Sequence, residues 1–283
     1  MNIIFANVIP NIIIVLIIMS IYILFNQSIQ TSYYNVANYL IPSEFNNYKI
    51  IQLSDLHCKK FGPNQSKLIS KIQQLSPDLI VMTGDMIDRK QTNLSNTEDL
   101  FKGVSKIAPV FVVSGNHEIY SNELQIAMSK LYKKYNITHL SNTSSTLSKG
   151  NSTLKIYGLD FIGSYIENED IINNLLSSCL VPAPNNCFSI LLNHRSDILD
   201  NISTYNYTLV LSGHAHGGII RLPFIGGLIS NKLSLFPKYD SGMYHQNSST
   251  MIVSRGLGNS NRLPRILNRP DLVLITLKSK GTK

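Results

Sequence analysis

The stretch Lys-Ile-Ile-Gln-Leu-Ser-Asp-Leu-His, residues 49–57, joins a mostly apolar run directly to an Asp-x-His triplet. The run is short and contains β-branched residues, which predicts a buried β-strand over Lys49–Ser54. In extended backbone, side chains two residues apart share a face, so Asp55 and His57 would point the same way. A carboxylate and an imidazole presented together at a strand end are suited to a divalent metal.

Polar endings of this kind follow four further apolar runs. The five endings are Ser54-Asp55-Leu56-His57, Gly84-Asp85, Gly115-Asn116-His117-Glu118, Asn193-His194 and Gly213-His214-Ala215-His216. The predicted strands are Lys49–Ser54, Asp78–Thr83, Val110–Ser114, Leu154–Leu159, Phe188–Asn193, Leu209–Ser212, Met251–Ser254 and Leu272–Leu277. The predicted helices are Gln65–Leu75, Thr97–Lys106, Asn122–Tyr135, Asp170–Ser178 and Ser196–Asn201. This alternation predicts an α/β fold, in which loops at strand ends converge on one site.

Each polar residue has an ordinary explanation when it is taken singly. An Asp before a helix is commonly a cap, Gly-Asp is a common turn, and a His at a strand end is commonly a hydrogen-bonded residue. The distribution of the 7 histidines argues otherwise, because only His139 and His245 lie outside the five endings. Together, the carboxylates, the amide and the imidazoles predict a site for Mn, Fe or Zn.

In order and spacing, these blocks resemble the calcineurin-like metallophosphoesterase superfamily. The matching blocks are Asp55-Leu-His57, Gly84-Asp85-Met-Ile-Asp88, Gly115-Asn116-His117-Glu118, His194 and Gly213-His214-Ala-His216. C-terminal segments such as Ser254–Gly258 and Asn268–Pro270 are similar to the membrane-anchored bacterial phosphodiesterase-type subgroup. The resemblance implies a two-sheet β-sandwich flanked by helices.

The resemblance also implies a site with two divalent metal ions. One ion would be bound by Asp55, His57, Asp85 and His216, and the other by Asp85, Asn116, His194 and His214. His117 would be a catalytic residue that binds no metal and acts on the phosphoryl group or the leaving oxygen.

Three further residues are candidates for substrate contact or support. Arg89 would contact a substrate phosphate or be solvent-exposed. Glu118 would orient His117 or favour a helix N-terminus, and Asp88 would support the site or act as a cap.

The C-terminal third contains two further features. The first is a group of basic residues, Arg255, Arg262, Arg265 and Arg269. They would attract anionic substrate or lipid, but a solvated face is the favoured interpretation. The second is the apolar segment Arg221–Tyr239, which includes Phe224 and Ile225. It would contact a membrane or a lipid chain, or simply cover the core.

The first 48 residues differ in charge from the rest of the chain. They contain one charged side chain, Glu44, whereas the whole 283-residue chain has a net charge of +8. Residues 3–25 are long enough, at about 34 Å, to cross a bilayer as a helix. We therefore predict a membrane anchor over 1–26, a polar stalk over 27–48 and a metallophosphoesterase domain over 49–283. A buried core helix and a cleaved signal peptide are the alternatives.

The predicted function is that of a membrane-anchored, dinuclear-metal phosphoesterase. A metal-bridging hydroxide would attack a phosphoester, with phosphodiester or phospholipid-type substrates favoured. The alternatives are a protein phosphatase, a nucleotide-lipid pyrophosphohydrolase and, in another class, a non-catalytic scaffold of the same fold. The expected partners are a lipid bilayer and an anionic phosphoester, without nucleic acid.

The expected location is the cell membrane, with a single pass. We place the domain on the extracytoplasmic face, since a disulfide between Cys179 and Cys187 would favour an oxidising compartment. Two free thiols are the alternative.

Overall fold

The computed structural model of the chain describes residues 2–91, 93–163, 166–218, 220–222, 226–229, 235–259 and 265–281. The helices are Asn2–Gln27 (α1), Ser66–Leu75 (α2), Ser95–Val104 (α3), Asn122–Lys134 (α4), Glu169–Cys179 (α5) and Leu199–Ile202 (α6). The first seven strands are Gln30–Asn38 (β1), Lys49–Leu53 (β2), Leu79–Thr83 (β3), Val110–Val113 (β4), Thr138–His139 (β5), Ser144–Lys149 (β6) and Ser152–Gly158 (β7). The other strands are Ser189–Arg195 (β8), Leu209–Gly213 (β9), Ile220–Leu222 (β10), Gly226–Ile229 (β11), Gly242–Gln246 (β12), Ser249–Val253 (β13) and Asp271–Ser279 (β14).

The strands of the described residues form two six-stranded sheets and one hairpin. The first sheet has the order β1-β14-β2-β3-β4-β5 and the second β12-β13-β9-β8-β7-β6, while β10 pairs with β11. Both sheets are mixed: β2, β3 and β4 run parallel, as do β7, β8 and β9, whereas β14 is antiparallel to β2. Each of the eight predicted strands corresponds to one of these strands within two residues, so these predictions are confirmed.

Alternate residues of the central strands face two different apolar layers. Ile50 of β2 and Leu209 of β9 pack between the two sheets. Ile51 packs on the other face of the first sheet, against α2, α3 and α4. Val210 packs on the outer face of the second sheet, against α5 and α6. The fold is therefore a β-sandwich flanked by helices, as predicted, and both sheet faces are apolar because both are covered.

The segment predicted as a polar stalk contains a strand of the globular domain. Gln30–Asn38 forms β1, which pairs in parallel with β14 from Gln30↔Asp271 to Asn38↔Ser279. A stalk is thus the wrong description of these residues. The alternating burial was hidden in the sequence because the less exposed face also carries polar and aromatic residues, namely Ser32, Tyr34 and Asn38.

The predicted anchor segment forms the helix α1. Within α1 the structure describes the side chains of residues 9–22. Across the described part of the chain, no helix combines the length and apolarity that a membrane span requires. The predicted apolar segment 221–239 forms the β10–β11 hairpin in part, while Phe224 and Ile225 lie outside the described residues, as does Arg262.

Candidate metal centre

The five polar endings come together at one edge of the sandwich. Three of them follow β2, β3 and β4 of the first sheet, and the other two lie at the ends of β8 and β9 of the second. Backbone hydrogen bonds join the loops, for example from Asp55 N to the Gly84 carbonyl at 3.0 Å. The convergence that the sequence predicted is therefore present, because parallel strands end at the same edge.

Asp85 lies at the middle of this cluster. Its Oδ2 atom lies 3.3 Å from Nε2 of His194, 3.8 Å from Nε2 of His57 and 3.9 Å from Nε2 of His117. Only 1% of the residue is exposed. One carboxylate oxygen thus faces imidazoles from three of the five polar endings.

The other imidazoles lie on two sides of Asp85. On one side, Nε2 of His216 is 3.3 Å from both Oδ1 of Asp55 and Nε2 of His57. On the other side, Nδ1 of His214 is 3.1 Å from Nε2 of His194. Asp55, His57 and His216 therefore form one group with metal-ligand spacing, and Asp85, His194 and His214 form a second.

Asn116 supports the interpretation of this cluster as a cation site. Its side-chain Oδ1 atom is buried and accepts no hydrogen bond from the described residues. Leaving a buried amide oxygen unpaired costs free energy, and an amide oxygen is a good ligand for a hard or borderline cation. The donor set of carboxylate, amide oxygen and imidazole fits divalent metal ions, as the resemblance implies.

The loops that carry these side chains have an unusual backbone. Left-handed φ angles of 49–68° occur at five non-glycine residues of the cluster: Asp55, His57, Asp85, His214 and His216. Such conformations cost about 1–3 kcal/mol each and persist only where the surroundings enforce them. The strain turns polar side chains toward a common centre immediately after each strand.

Two glycines permit the loops to approach closely. A Cβ atom on Gly115 would overlap the carboxylate of Asp85, and one on Gly213 would overlap the hydroxyl of Ser54. These positions accept only hydrogen as a side chain because another polar residue occupies the space.

Glu118 joins two of the loops instead of orienting His117. Its carboxylate accepts backbone N–H groups of Asp85, Met86, Ile87 and Gly115 at 2.6–3.2 Å. Burial, followed by the charge of Asp85, raises the pKa of Glu118 to about 7. Glu118 therefore positions Asp85 through the backbone.

His117 lies at the edge of the cluster, next to the two other supporting candidates. Its Nδ1 atom accepts the backbone N–H of Arg89 at 3.0 Å and lies 3.5 Å from Oδ1 of Asp88. In the neutral ring this hydrogen bond leaves the proton on Nε2, toward Asp85. The guanidinium of Arg89 lies over the ring of Tyr120, and Asp88 accepts the N–H of Lys90 as a turn cap.

Burial and charge separate the pKa values of the clustered imidazoles. Burial lowers the pKa of His57 to about 4 and that of His214 to about 3. Burial would also lower the pKa of His194, but the carboxylate of Asp85 outweighs it and raises the pKa to about 10. His57 and His214 are thus neutral, the form that binds metals. His194 holds a proton against Asp85 that a bound cation would displace.

Arg265 was missed as a site residue. Sequence reasoning favoured a solvated face for the C-terminal arginines, but Arg265 is only 6% exposed and Arg255 only 9%. Nη2 of Arg265 lies 3.3 Å from Nδ1 of His216, and its Nη1 is buried without a hydrogen-bond partner among the described residues. Arg255 is paired with Asp271 at 3.0 Å. The solvated-face interpretation is therefore wrong for both residues.

Phe161 and Asn268 were also missed. The ring of Phe161 lies 5.8 Å from that of His194 and 6.2 Å from that of His214, which makes it an apolar wall of the site. Asn268 donates to the carbonyls of His216 and Gly218 at 2.7 Å. No local pattern marks Phe161, whereas Asn268 lies in a segment that carries the resemblance but was not singled out as a site residue.

Comparison with known proteins agrees with this geometry. Residues 48–218 match the family described as calcineurin-like phosphoesterase. The chain belongs to this family. As a calcineurin-like phosphoesterase, it is a metal-dependent hydrolase of phosphoric esters.

Three relatives illustrate the range of this family. The chain is 34% identical to the uncharacterised metallophosphoesterase YkuE of Bacillus subtilis, over 89% of this chain and 86% of that protein. It is 28% identical to the UDP-2,3-diacylglucosamine pyrophosphatase LpxG of Chlamydia muridarum, over 83% and 86%. It is 25% identical to the phosphodiesterase YaeI of Escherichia coli, over 81% and 82%.

Proposed function

We propose that this calcineurin-like phosphoesterase is a membrane-anchored, dinuclear-metal enzyme that hydrolyses phosphodiesters of phospholipid type. The observation that carries the proposal is the buried cluster around Asp85, in which every polar ending of the sequence takes part. A non-catalytic scaffold would have no use for the unpartnered oxygen of Asn116 or for the strained backbone of the ligand loops.

The ligands divide into two sets that share Asp85. One ion would be held by Asp55, His57, Asp85 and His216, and the other by Asp85, Asn116, His194 and His214. The 3.3 Å and 3.8 Å distances from Asp85 Oδ2 to imidazoles of both sets support this sharing. Mn, Fe and Zn all suit the donors.

His194 shows how the protein fixes the orientation of a ligand. Its Nδ1 lies 2.7 Å from the carbonyl of Thr83, to which it donates, so Nε2 is directed at Asp85. A hydrogen bond of this kind orients the ring and raises its basicity as a ligand.

When bound, two divalent ions would lower the pKa of water and stabilise the charge that develops on the phosphoryl oxygens. The residues of the chain provide the remaining steps. His117 would donate a hydrogen bond from Nε2–H to a substrate oxygen and so stabilise the charge that develops there, and the backbone N–H of Arg89 keeps that tautomer in place. Phe161 would exclude water from the side of His194 and His214.

Arg265 is proposed to contact the anionic substrate. A neutral His216 with its Nε2 lone pair directed at a metal carries its proton on Nδ1, which cannot accept from Arg265. The guanidinium has five N–H donors, but it would then donate only to Asn259 Oδ1 and the Gly258 carbonyl. A phosphoryl oxygen would satisfy the remaining donors, including the buried Nη1.

The anchor is proposed from the surface of α1. The large apolar side chains described between residues 9 and 22 are 41–60% exposed, and they lie on all sides of the helix. A helix that is apolar all round requires an apolar environment. The proposed location is the cell membrane with a single pass. The extracytoplasmic placement stays a prediction, and the disulfide that favoured it is not formed, since Cys179 and Cys187 are free thiols.

A lipid-linked pyrophosphate is the second candidate substrate. The name of the relative LpxG, a UDP-2,3-diacylglucosamine pyrophosphatase, favours it. Arg265 would then contact the phosphoryl group that is not attacked.

The test uses the full chain in detergent, stripped by a chelator and reloaded with Mn²⁺, Fe²⁺ or Zn²⁺. We expect metal-dependent cleavage of a phosphodiester, with slower cleavage of a monoester. Preference for a pyrophosphate would favour the second candidate. Asp85→Asn should lose more than about 100-fold in activity, since changes to residues that merely support metal ligands already cost about 10–100-fold.

Two further variants complete the design. His117→Ala should lose about 10²–10³-fold in activity while metal content stays unchanged, because His117 donates a hydrogen bond to the substrate and is not a ligand. Asp170→Asn, an exposed carboxylate on α5, is the matched control and should behave as wild type. A wild-type chain that binds no metal and cleaves no phosphoester would refute the proposal.

A further inference from the structure

Four large apolar side chains are exposed around the β10–β11 hairpin. Leu235, Phe236, Ile266 and Leu267 are each 45–66% exposed, and we call them the hairpin surface. Their backbone extends the hairpin on both sides: Arg221 of β10 donates to the Ile266 carbonyl, and Phe236 donates to the Leu228 carbonyl of β11. Three strand spacings of about 4.8 Å separate the two pairs, so the surface is about 14 Å wide.

The backbone of the hairpin surface is strained. Phe236 has a φ of 50° and Leu267 a φ of 54°. Bulky residues rarely adopt the left-handed region, and where they do, the surrounding structure holds them there. Contact with water does not compensate for the free energy of this strain, which suggests that another apolar phase covers these side chains.

The hairpin surface lies beside the end of α1. Arg269, two residues after Leu267, donates from Nε to the Ser28 carbonyl at 3.1 Å and from Nη2 to the Ser28 hydroxyl. Lys71 donates to the Ile29 carbonyl at 2.9 Å. Two cations therefore surround the point where the chain leaves α1.

The same segment also contacts the metal centre. Asn268, between Leu267 and Arg269, donates to the carbonyls of His216 and Gly218. Four consecutive residues, 266–269, thus connect exposed apolar side chains, a loop of the metal centre and the end of α1.

From this arrangement we propose that the hairpin surface inserts into the membrane in which α1 is anchored. The four apolar side chains would lie at the boundary of headgroups and acyl chains, and Arg269 and Lys71 would lie at the lipid phosphates. The metal centre would then open at the bilayer surface and receive a substrate that is carried in the membrane. This inference rests on the proposed function, in particular on α1 as the anchor.

The test measures the depth of single positions in the membrane. The full chain carries Cys179→Ser and Cys187→Ser, which leaves only the buried Cys58. Single cysteines replace Phe236 or Leu267 and are labelled with an environment-sensitive fluorophore. The protein is reconstituted in vesicles of phosphatidylcholine and phosphatidylglycerol, with or without lipids that carry a quencher on the acyl chain.

Matched positions provide the controls. Ile126 and Val181 are exposed apolar residues on other parts of the domain, 56% and 73% exposed, and Leu16 lies on α1. We expect labels at 236 and 267 to shift to the blue and to be quenched like the label at 16, whereas labels at 126 and 181 stay in water. Quenching at 16 without quenching at 236 and 267 overturns the inference but leaves the anchor intact. No quenching at 16 refutes the anchor and the inference together.

One further fluorescence result and a separate activity experiment also test the inference. A blue shift at 267 without quenching by lipid would mean that protein covers the surface, which overturns the inference. In the activity arm, the double variant Phe236→Asn/Leu267→Asn should lose activity on a phosphodiester lipid in vesicles and keep activity on a soluble diester. If the double variant keeps the same fraction of wild-type activity on the lipid as on the soluble diester, the inference is contradicted. If the wild type cleaves neither substrate, the proposed function is refuted, and the depth measurement remains valid.

Discussion

The metal centre and the hairpin surface use the same backbone conformation for opposite purposes. At the metal centre, left-handed residues such as Asp55 and Asp85 direct polar side chains into a buried cluster. At the hairpin surface, left-handed Phe236 and Leu267 direct apolar side chains outward. Backbone hydrogen bonds accompany the strained residues in both places, with neighbouring loops at the metal centre and with β10 and β11 at the hairpin surface.

The two regions differ in the kind of partner that each would bind. The metal centre concentrates carboxylates and imidazoles, which cations would satisfy. The hairpin surface concentrates apolar side chains beside Arg269 and Lys71, which an anionic bilayer would satisfy. At these two sites, strain coincides with a proposed functional contact, and the side-chain chemistry indicates the kind of contact.

The largest expected effect comes from removing the carboxylate that supports the metal centre. Glu118→Ala leaves four buried N–H groups without an acceptor. Each unpaired donor costs about 1–3 kcal/mol, so we expect the free energy of unfolding to fall by about 3 kcal/mol or more. Chemical denaturation of the apo protein measures this change.

Two variants sharpen this prediction. Glu118→Gln keeps a single oxygen and presents its amide N–H groups to the other two donors, so its loss should be intermediate. Glu123→Ala, which removes an exposed glutamate from the first turn of α4, is the control and should lower the free energy of unfolding by no more than about 1 kcal/mol. If Glu118→Ala were as stable as this control, the metal centre would not depend on Glu118.

A smaller effect of opposite sign is expected at the hairpin surface. Leu267→Asn should raise the free energy of unfolding in detergent by up to about 1 kcal/mol, because Asn tolerates a left-handed backbone that costs Leu about 1–3 kcal/mol. The chain itself uses Asn in this conformation elsewhere, namely at Asn47, Asn64, Asn136, Asn142, Asn206 and Asn247. Leu235→Asn is the control, since the φ of Leu235 is not left-handed. Equal changes in both variants would mean that strain at Leu267 is not released.

The smallest effect concerns the pH dependence of the hairpin. Asp240 accepts from the Gly227 N–H at 2.7 Å and from Arg221 at 2.6 Å. Burial alone would raise its pKa, but the Gly227 N–H, the Tyr244 hydroxyl and the Arg221 charge lower it below the usual 3.8. Asp240 thus stabilises the hairpin above pH 3.8, and this contribution is lost as the pH falls through the lower pKa of the folded state.

Hydrogen exchange of the β11 amides checks this prediction. After correction for intrinsic rates, opening should become easier by on the order of 1 kcal/mol in acid. Asp240→Asn should show the same easier opening already at neutral pH and no further change in acid. A wild-type hairpin with pH-independent protection would contradict the role of Asp240.

The sequence by itself determined eight of the fourteen described strands, the layered α/β class and the polar endings that form the metal centre. The reason is that a strand and the residues that follow it are a local pattern, read from side chains a few positions apart. The sequence placed Asp55 and His57 in one site, although both adopt a left-handed φ and not the extended backbone on which that prediction was based. His214 and His216 are predicted in the same way.

Only the tertiary structure decided what surrounds these residues. The pairing of β1 with β14 joins residues 241 positions apart, such as Gln30 and Asp271, and it turned a supposed stalk into part of a sheet. Arg265 and Asn268 reach His216 from about 50 residues away, and Arg269 meets the end of α1. Such contacts depend on how two sheets and their loops pack together. The periodicity of hydrophobic residues along the sequence does not encode that packing.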